Sequence, residues 1–408
     1  MSRKRLSPRR RLTGVVVTFF VLAFLLLALK RGDILGLVLA AAVPAAILAG
    51  AYLIPRLFPV DQLLLSLTNF LCALGILVLY DTSPSLAVHQ ALSYGLGLFG
   101  MIGSMLLVRS LRDQRLIWIV GVAGVMLLSL PLFFGRELNG ARNWATLGGF
   151  TFQPSELVKP MLVLFLSWWM SRRRWLPWLL FAAASTALLM LQRDLGAALL
   201  YDAVALLLCW ISSGSLPALL AGLLGGVFAA RWGYTHFAHV RRRVEIWINP
   251  WKDYQSAGYQ IVQSLVAIAS GGLFGVGLGL GAPTSIPIHT SDFIFSVICE
   301  QFGLIFGACV LLIYGVLIWR SASVAMAARR RFHSLLAMGS GMMLALQAFL
   351  IIGGVLKLIP LTGVTLPFVS YGGTSLVSSM CLAGLIQGVG SLNEEDLADD
   401  AHLAMLGT

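Results

Sequence analysis

Charge is what this sequence has least of. Only 11% of its 408 residues are Asp, Glu, Lys or Arg, where a soluble domain carries about a quarter. With 58% hydrophobic residues, that scarcity excludes a soluble globular domain. Acid is the scarcer sign, 17 Asp and Glu against 29 Lys and Arg. The net charge of +12 does not point to nucleic acid, because the basic residues cluster in short loops between apolar runs. Cysteine is sparse too. Cys72, Cys209, Cys299, Cys309 and Cys381 all lie inside apolar runs, and an odd count without metal-ligand spacing excludes a disulfide framework or zinc site. They read as small core hydrophobes. No GxxxxGK[ST] loop and no GxGxxG after a strand occurs, so nucleotide binding is rejected. The apolar runs do not alternate, which excludes a membrane β-barrel. No small-residue cleavage pattern follows the basic start "MSRKRLSPRRRL", so the first apolar run is expected to stay as a span.

What the chain has in abundance is apolar runs near the ~20 residues that a helix needs to cross hydrocarbon. About twelve are expected, near 12–30, 33–54, 62–80, 88–109, 115–134, 156–171, 175–191, 195–212, 215–232, 293–319, 333–357 and 370–390. The fold class is therefore all-α: a polytopic integral membrane protein with about 12 transmembrane helices. The basic loops "RSLRDQR" (109–115), "SRRR" (171–174) and "RSASVAMAARRRFH" (320–333) fall on one side, expected to be cytoplasmic together with both termini. The acidic tail "NEEDLADD" reads as a disordered cytoplasmic segment.

The opposite side receives 135–155, 233–292 and 358–369. A loop of some sixty residues in a compact membrane protein argues function rather than filler. Within it, "GYQIVQSLVAIASGG" (258–272) has helical apolar spacing, with Gln260, Gln263 and Ser264 on the other face. It is too short to span and should lie in the interface or re-enter. "VRRRVE" (240–245) places Arg241, Arg242 and Arg243 on the same side. They suit an anionic ligand or anionic headgroups, and equally a solvated basic turn.

Ionisable residues at membrane depth are functional candidates. Glu156, Lys159, Asp194, Asp202, Asp292, Glu300 and Lys357 qualify. Glu156 and Lys159 stand at i, i+3 and can pair. They follow Arg136 and Arg142, so they form either a structural salt bridge or a cationic surface for phosphate. Asp202 and Glu300 suit interhelical hydrogen bonds. Asp292 precedes the apolar run from Phe293 to Trp319 and follows a glycine-rich stretch. It could cap that helix, or it could be a partly desolvated general base. In "LIPLTGVTLPFVSYGGTSL" (358–376), prolines and glycines break helices. Ser370, Tyr371, Thr374 and Ser375 could then line a polar pocket, or the segment could be only a tight helix hairpin.

"NGARNW", "FQPSELVK", "NPWKDYQSAGYQIVQSLVAIASGGLFGVGLG", "SDFIFSVICEQFG" and "PLTGVTLPFVSYGGTS" occur in that order. Over residues 62–390 the chain resembles the SEDS family (shape, elongation, division and sporulation), the RodA and FtsW type of peptidoglycan glycosyltransferase. The resemblance implies a core, 62–390, that polymerises lipid II into glycan strands on the outer face of the bacterial cytoplasmic membrane, beside a class B penicillin-binding protein. Residues 1–61 would add a basic N-terminus and two extra helices, and 391–408 the acidic tail. Asp292 matches the family's essential aspartate before "FIF", implying a general base with undecaprenyl pyrophosphate as leaving group. Arg142, Lys159 and one or more of Arg241, Arg242 and Arg243 would meet the leaving-group charge. Gln153, Ser155, Glu156, Gln260, Gln263, Ser264, Thr290, Ser370, Tyr371, Gly372, Gly373 and Ser375 complete the expected substrate-binding set. No cofactor is expected; a divalent ion near Asp292 would suit the chemistry, but no ligand cluster marks one. Lipid II and the nascent glycan are the expected partners, with no nucleic acid. The chain departs from the family pattern at Arg193, Ile288, His289, Gln301 and Ile351. Two other readings stand beside this one: a lipid II flippase and a non-catalytic cell-wall scaffold.

Overall fold

A computed structural model describes residues 8–405 apart from 112, 139, 140, 255 and 257. The chain opens with a helical hairpin, α1 (Pro8–Arg31) and α2 (Ile34–Leu57). Asp33 ends the turn by accepting from the Gly36 amide at 3.0 Å, capping α2. Then come α3 (Gln62–Thr82), α4 (Pro84–Ser110) and α5 (Gln114–Phe134). A small sheet follows, β1 (Gly135–Leu138), β2 (Ala141–Leu147) and β3 (Phe150–Phe152). Next stand α6 (Pro154–Ser171), α7 (Trp175–Leu191), α8 (Leu195–Ser213), α9 (Leu216–His236), α10 (Ala238–Ile248) and α11 (Tyr259–Gly271). The bundle closes with α12 (Ile294–Ala327), α13 (Arg331–Val355) and α14 (Gly373–Met405).

Ten of these helices are long and apolar enough to cross a membrane. The other two apolar helices, α6 and α7, fall on the shortest expected spans, 156–171 and 175–191. The most enclosed stretch of helix is in α3, whose residues from Leu71 to Tyr80 are essentially without exposure; α1, α2, α4 and α12 pack around it. Small residues let α4 and α14 approach: a Cβ on Gly97 would meet Met380, and one on Gly388 would meet Met105 and Val108. The lipid side is carried by helices such as α9, in which no residue is buried.

Three features differ from the sequence expectation. The segment 135–155, which the sequence placed opposite the basic loops without a secondary structure of its own, carries strands in a chain expected to be all-α. It folds into an antiparallel sheet, Ala145 opposite Phe152 and Leu147 opposite Phe150. The pair Gly148–Gly149 turns it, both with positive φ, as tight hairpin turns require. The acidic tail is not disordered; α14 runs on through it. Arg109 pairs with Glu395 and Arg329 with Asp400, which holds the tail against the loops at that end of the bundle.

The third difference bears on function. The apolar run after Asp292 is not one straight span. Gly303 sits at φ +86°, ψ 169°, outside helical space, and divides α12 into a short buried part, 294–302, and a long one, 304–327. The carbonyls at the end of the short part are taken by the glycine-rich strand before it: Val276 N donates to Glu300 O at 2.9 Å and Gly277 N to Gln301 O at 3.0 Å. Leu304 N then donates back to Gly272 O at 2.9 Å. The glycines of 271–281 thus serve as the wrapping of a helix break. Their small size is required: a Cβ on Gly271 would run into the Cys299 carbonyl.

Candidate active site

Asp292 stands at the start of the short helix 294–302, half-buried. It does not cap that helix. The N-cap position is Phe293, and no side chain makes a cap bond there. The Asp292 carboxylate instead accepts from the Ser291 hydroxyl at 3.1 Å. Burial raises its pKa above the ordinary carboxylate value, while the Ser291 hydroxyl and the Arg243 charge pull it down. The carboxyl is thus held between desolvation and a nearby cation.

The loop 358–372 builds the wall around it. Tyr371 N donates to Thr290 O at 2.9 Å, and the Ser370 hydroxyl donates to Ser291 O at 2.6 Å. Ser370 also accepts from the Leu366 amide at 2.9 Å, so one serine joins both sides of the wall. Arg243 on α10 donates to Thr362 O at 2.9 Å. Gly363 at φ +75° leaves its side-chain position open between Arg243 Nη2 and Asp292 Oδ2, 3.7 and 3.8 Å away. α10 is itself anchored to the end of α13: Trp247 donates to Lys357 O at 3.1 Å and the Lys357 ammonium to Ile248 O at 3.2 Å. Lys357, a candidate by its depth, is therefore a tether.

A second polar group lies behind this wall. Glu156 and Lys159 pair at 2.7 Å with side chains only 6% and 2% exposed. Lys159 also donates to Gln347 at 2.9 Å, and Gln347 donates to Thr365 O at 2.8 Å. Thr365 shares a 2.6 Å hydrogen bond with Ser375. The chain of bonds runs from the buried ion pair to the loop that faces Asp292. With its ammonium enclosed and spent on two partners, Lys159 supports that loop from within the bundle rather than forming an open cationic surface.

A third group centres on Asp194, the N-cap of α8. One carboxylate oxygen takes Asn143 at 2.9 Å, Gln153 at 3.2 Å and Ser155 at 3.4 Å, and the other takes the Ala197 amide at 3.1 Å. Gln153 and Ser155 thus stitch the sheet and α6 to α8. Arg142 is exposed; its amide donates to Gln192 O and its Nε to Gly135 O, both at 2.9 Å.

The structure thus brings Asp292, Arg243, Thr290, Ser370 and Tyr371 together, and places Glu156, Lys159 and Ser375 behind them. It separates others. Of the face expected to be polar, Ser264 alone is buried, against Ser296 of the short helix 294–302, their hydroxyls 2.6 Å apart. Gln263 donates to Tyr254 at 3.1 Å, while Gln260 is half-buried beside it. The Gly372 amide donates to Gln90 of α4 at 3.3 Å, and a Cβ on Gly373 would meet Ser93; both glycines serve the fit of α14 against α4. Asp202 takes the Thr186 hydroxyl of α7 at 2.5 Å, as expected of an interhelical partner. Ser291, Asn143, Gln347 and Thr365 were not singled out from sequence. Gln347 had a signal, a lone amide inside an apolar run.

The fold and this site define a multi-pass membrane protein with a polar site at one end of its bundle, beside a broken helix. Residues 62–394 match the model of the family described as cell cycle protein, FtsW, RodA and SpoVE. The chain belongs to that family. It is 33% identical over 360 residues to peptidoglycan glycosyltransferase RodA of Mycobacterium tuberculosis H37Rv, covering 80% of this chain and 77% of that one. Stage V sporulation protein E of Bacillus subtilis 168 is 31% identical over 359 residues, covering 81% of this chain and 96% of its own length. Among solved structures, a chain of a peptidoglycan synthase complex that coordinates polymerisation and crosslinking superposes with TM-score 0.70 at 31% identity, over 82% of this chain and 98% of that one. Rod shape determining protein RodA of Thermus thermophilus superposes with TM-score 0.60 at 30% identity, over 82% and 98%.

Proposed function

We infer that the chain is a peptidoglycan glycosyltransferase, the activity for which its RodA relatives are named, and we propose that Asp292 is its general base. The end of the bundle that carries Asp292 faces outward from the cytoplasmic membrane in this reading, because the basic loops lie at the other end. The observation that carries the reading is the Asp292 carboxylate itself. It is half-buried, it is not spent on a helix cap, and it stands beside Arg243 on a loop wall rich in hydroxyls and amides.

The substrate is lipid II. Asp292 takes the proton from the C4 hydroxyl of the acceptor sugar as its oxygen attacks C1 of the donor. The bond from C1 to the pyrophosphate oxygen breaks, with inversion, and undecaprenyl pyrophosphate leaves. Arg243 stands where it can meet charge that develops on the leaving group; Arg241 and Arg242, on the same helix, are engaged, the first by Thr235 O at 3.1 Å and the second by Ser256 at 2.9 Å and Asp253 at 3.7 Å. A lipid substrate explains the location, since the reacting sugar and the water-facing base meet at the end of a membrane bundle. A class B penicillin-binding protein is the partner we propose, consistent with a solved relative being part of a synthase complex.

The test is polymerisation of labelled lipid II by the purified full chain, alone and with its partner, wild type beside Asp292→Asn. A ladder of glycan lengths from wild type, reduced about 10²–10⁴-fold in the variant at an unchanged melting temperature, is the expected result. Equal ladders from the two proteins would remove Asp292 from the role.

A further inference from the structure

Residues 1–61 lie outside the matched family segment, yet the α1–α2 hairpin within them, Pro8–Arg31 and Ile34–Leu57, reaches the end of the bundle that carries Asp292. The end of α1 sits against the wrapped helix break. Leu27 and Lys30 flank Gly279: a Cβ there would come within 2.9 Å of Leu27 and 3.1 Å of the Lys30 ammonium. The Lys30 ammonium donates to the Gly279 carbonyl, and Arg31 donates to the Asp81 carbonyl at the end of α3. The Asp81 carboxylate accepts from Gln301 at 2.6 Å, on the last turn of the short helix that begins beside Asp292. Tyr80 donates to Asp33 in the turn between α1 and α2. The hairpin therefore touches the loop 272–281, α3 and, through Asp81, the short helix itself.

The mechanics of the short helix give these contacts a consequence. Its C-terminal carbonyls are satisfied by Val276 and Gly277 of the glycine loop, and the Glu300 carboxylate accepts from the Ala282 amide at 3.0 Å. The loop and the helix thus move as one piece. Nine helical residues span about 13 Å, so a tilt at Gln301 is delivered to Asp292 at the other end. The glycines at 275, 277 and 279 all have positive φ and give the loop little stiffness of its own. The stiffness comes from what presses on it, and at Gly279 that is α1, through Leu27 and Lys30, together with the Asp81 carboxylate of α3.

We propose that the α1–α2 hairpin is a brace that sets the position of Asp292, with Lys30 as a positioning residue acting through Gly279 and the short helix. This rests on the reading of Asp292 as the general base. A displacement of the base by about 1 Å is enough to lower a rate by orders of magnitude, so a partial release predicts an intermediate effect.

The test compares full-length wild type, Lys30→Met and Lys30→Arg by lipid II polymerisation kinetics, amide hydrogen exchange and thermal melting. Lys30 is exposed at the end of its helix, so neither substitution buries a charge. Lys30→Met is expected to lower kcat about tenfold with KM and melting temperature unchanged. Exchange should quicken about fivefold in 272–305, the loss of roughly one hydrogen bond's local stability, and stay unchanged in α4 and α14. Lys30→Arg should restore both. Unchanged exchange, or unchanged kcat, or exchange that quickens throughout the bundle with a fall in melting temperature, would overturn the brace while leaving Asp292 as base. An active Asp292→Asn variant would instead overturn the base, and with it the catalytic meaning of the brace, even where the exchange result held.

Discussion

Asp292 Oδ2 and Arg243 Nη2 both lie within 4 Å of one point, the place a Cβ would occupy on Gly363. Neither residue is near the other in sequence. The acid precedes α12 and the arginine belongs to α10, and the loop after α13 separates and positions them. Four predictions follow from this arrangement and from the polar groups behind it.

The first concerns pH. Burial raises the Asp292 carboxyl above the ordinary 3.8, and Arg243 is one of the two groups that lower it. A general base works ionised, so activity is present above the raised pKa and is lost as pH falls through it. The acid limb of kcat/KM should therefore lie above 3.8. Arg243→Gln removes a lowering charge, so its limb should move to higher pH. A profile of polymerisation rate against pH for both proteins checks the direction.

Gly363→Ala places a methyl between the acid and the arginine, at a φ of +75°. The backbone strain costs about 1–2 kcal/mol. The displaced pair should cost more in rate than in stability, with kcat lowered at least about tenfold. Melting temperature and polymerisation rate, measured on the same preparation, separate the two effects.

Removing one partner of the buried pair is expected to be severe. Lys159→Met leaves the Glu156 carboxylate enclosed without its cation, and Gln347 without its donor. The loss should be about 3–5 kcal/mol, read by thermal melting in detergent. The double variant Glu156→Gln with Lys159→Met removes the stranded charge and should recover a large part of it. Non-additive losses would mark the pair as coupled.

Gly303→Ala attacks the break in α12. Its φ and ψ, +86° and 169°, fall in a region that essentially glycine alone adopts, and strain there is about 1–3 kcal/mol. A Cβ would also meet the Leu273 carbonyl. The variant should lose stability and activity together, because the wrapped break carries the helix that begins at Asp292. A melt and a glycan ladder on the same sample test it.

Much of this architecture was legible in the chain. Apolar length located the spans, since lipid leaves a helix few other ways to satisfy its backbone. Helical spacing located α11 at Tyr259–Gly271, within a residue of the segment read from 258–272. The i, i+3 spacing of Glu156 and Lys159 announced their pair. Other features were silent for physical reasons. The break at Gly303 hides in an apolar run, because a hydropathy pattern records burial and not backbone direction. Ser264 reads as part of a polar face, but its partner Ser296 lies on another helix and cannot be seen from spacing. The sheet at 135–152 is stabilised by docking to Gln192 and Asp194, contacts made across a long stretch of sequence.

The amino-acid sequence by itself determined the solvent, the helices and the type of residue available for chemistry, because each follows from local composition and period. It also marked Asp292 and left two roles open for it, a helix cap or a base. The tertiary structure removes the cap. Phe293 takes the N-cap position, the break at Gly303 turns the following residues into a short buried helix, and the loop at 358–372 brings Gly363 and the Arg243 guanidinium to the carboxylate. Those are long-range relations, set by how helices pack and where glycines allow the chain to turn. No local pattern encodes them.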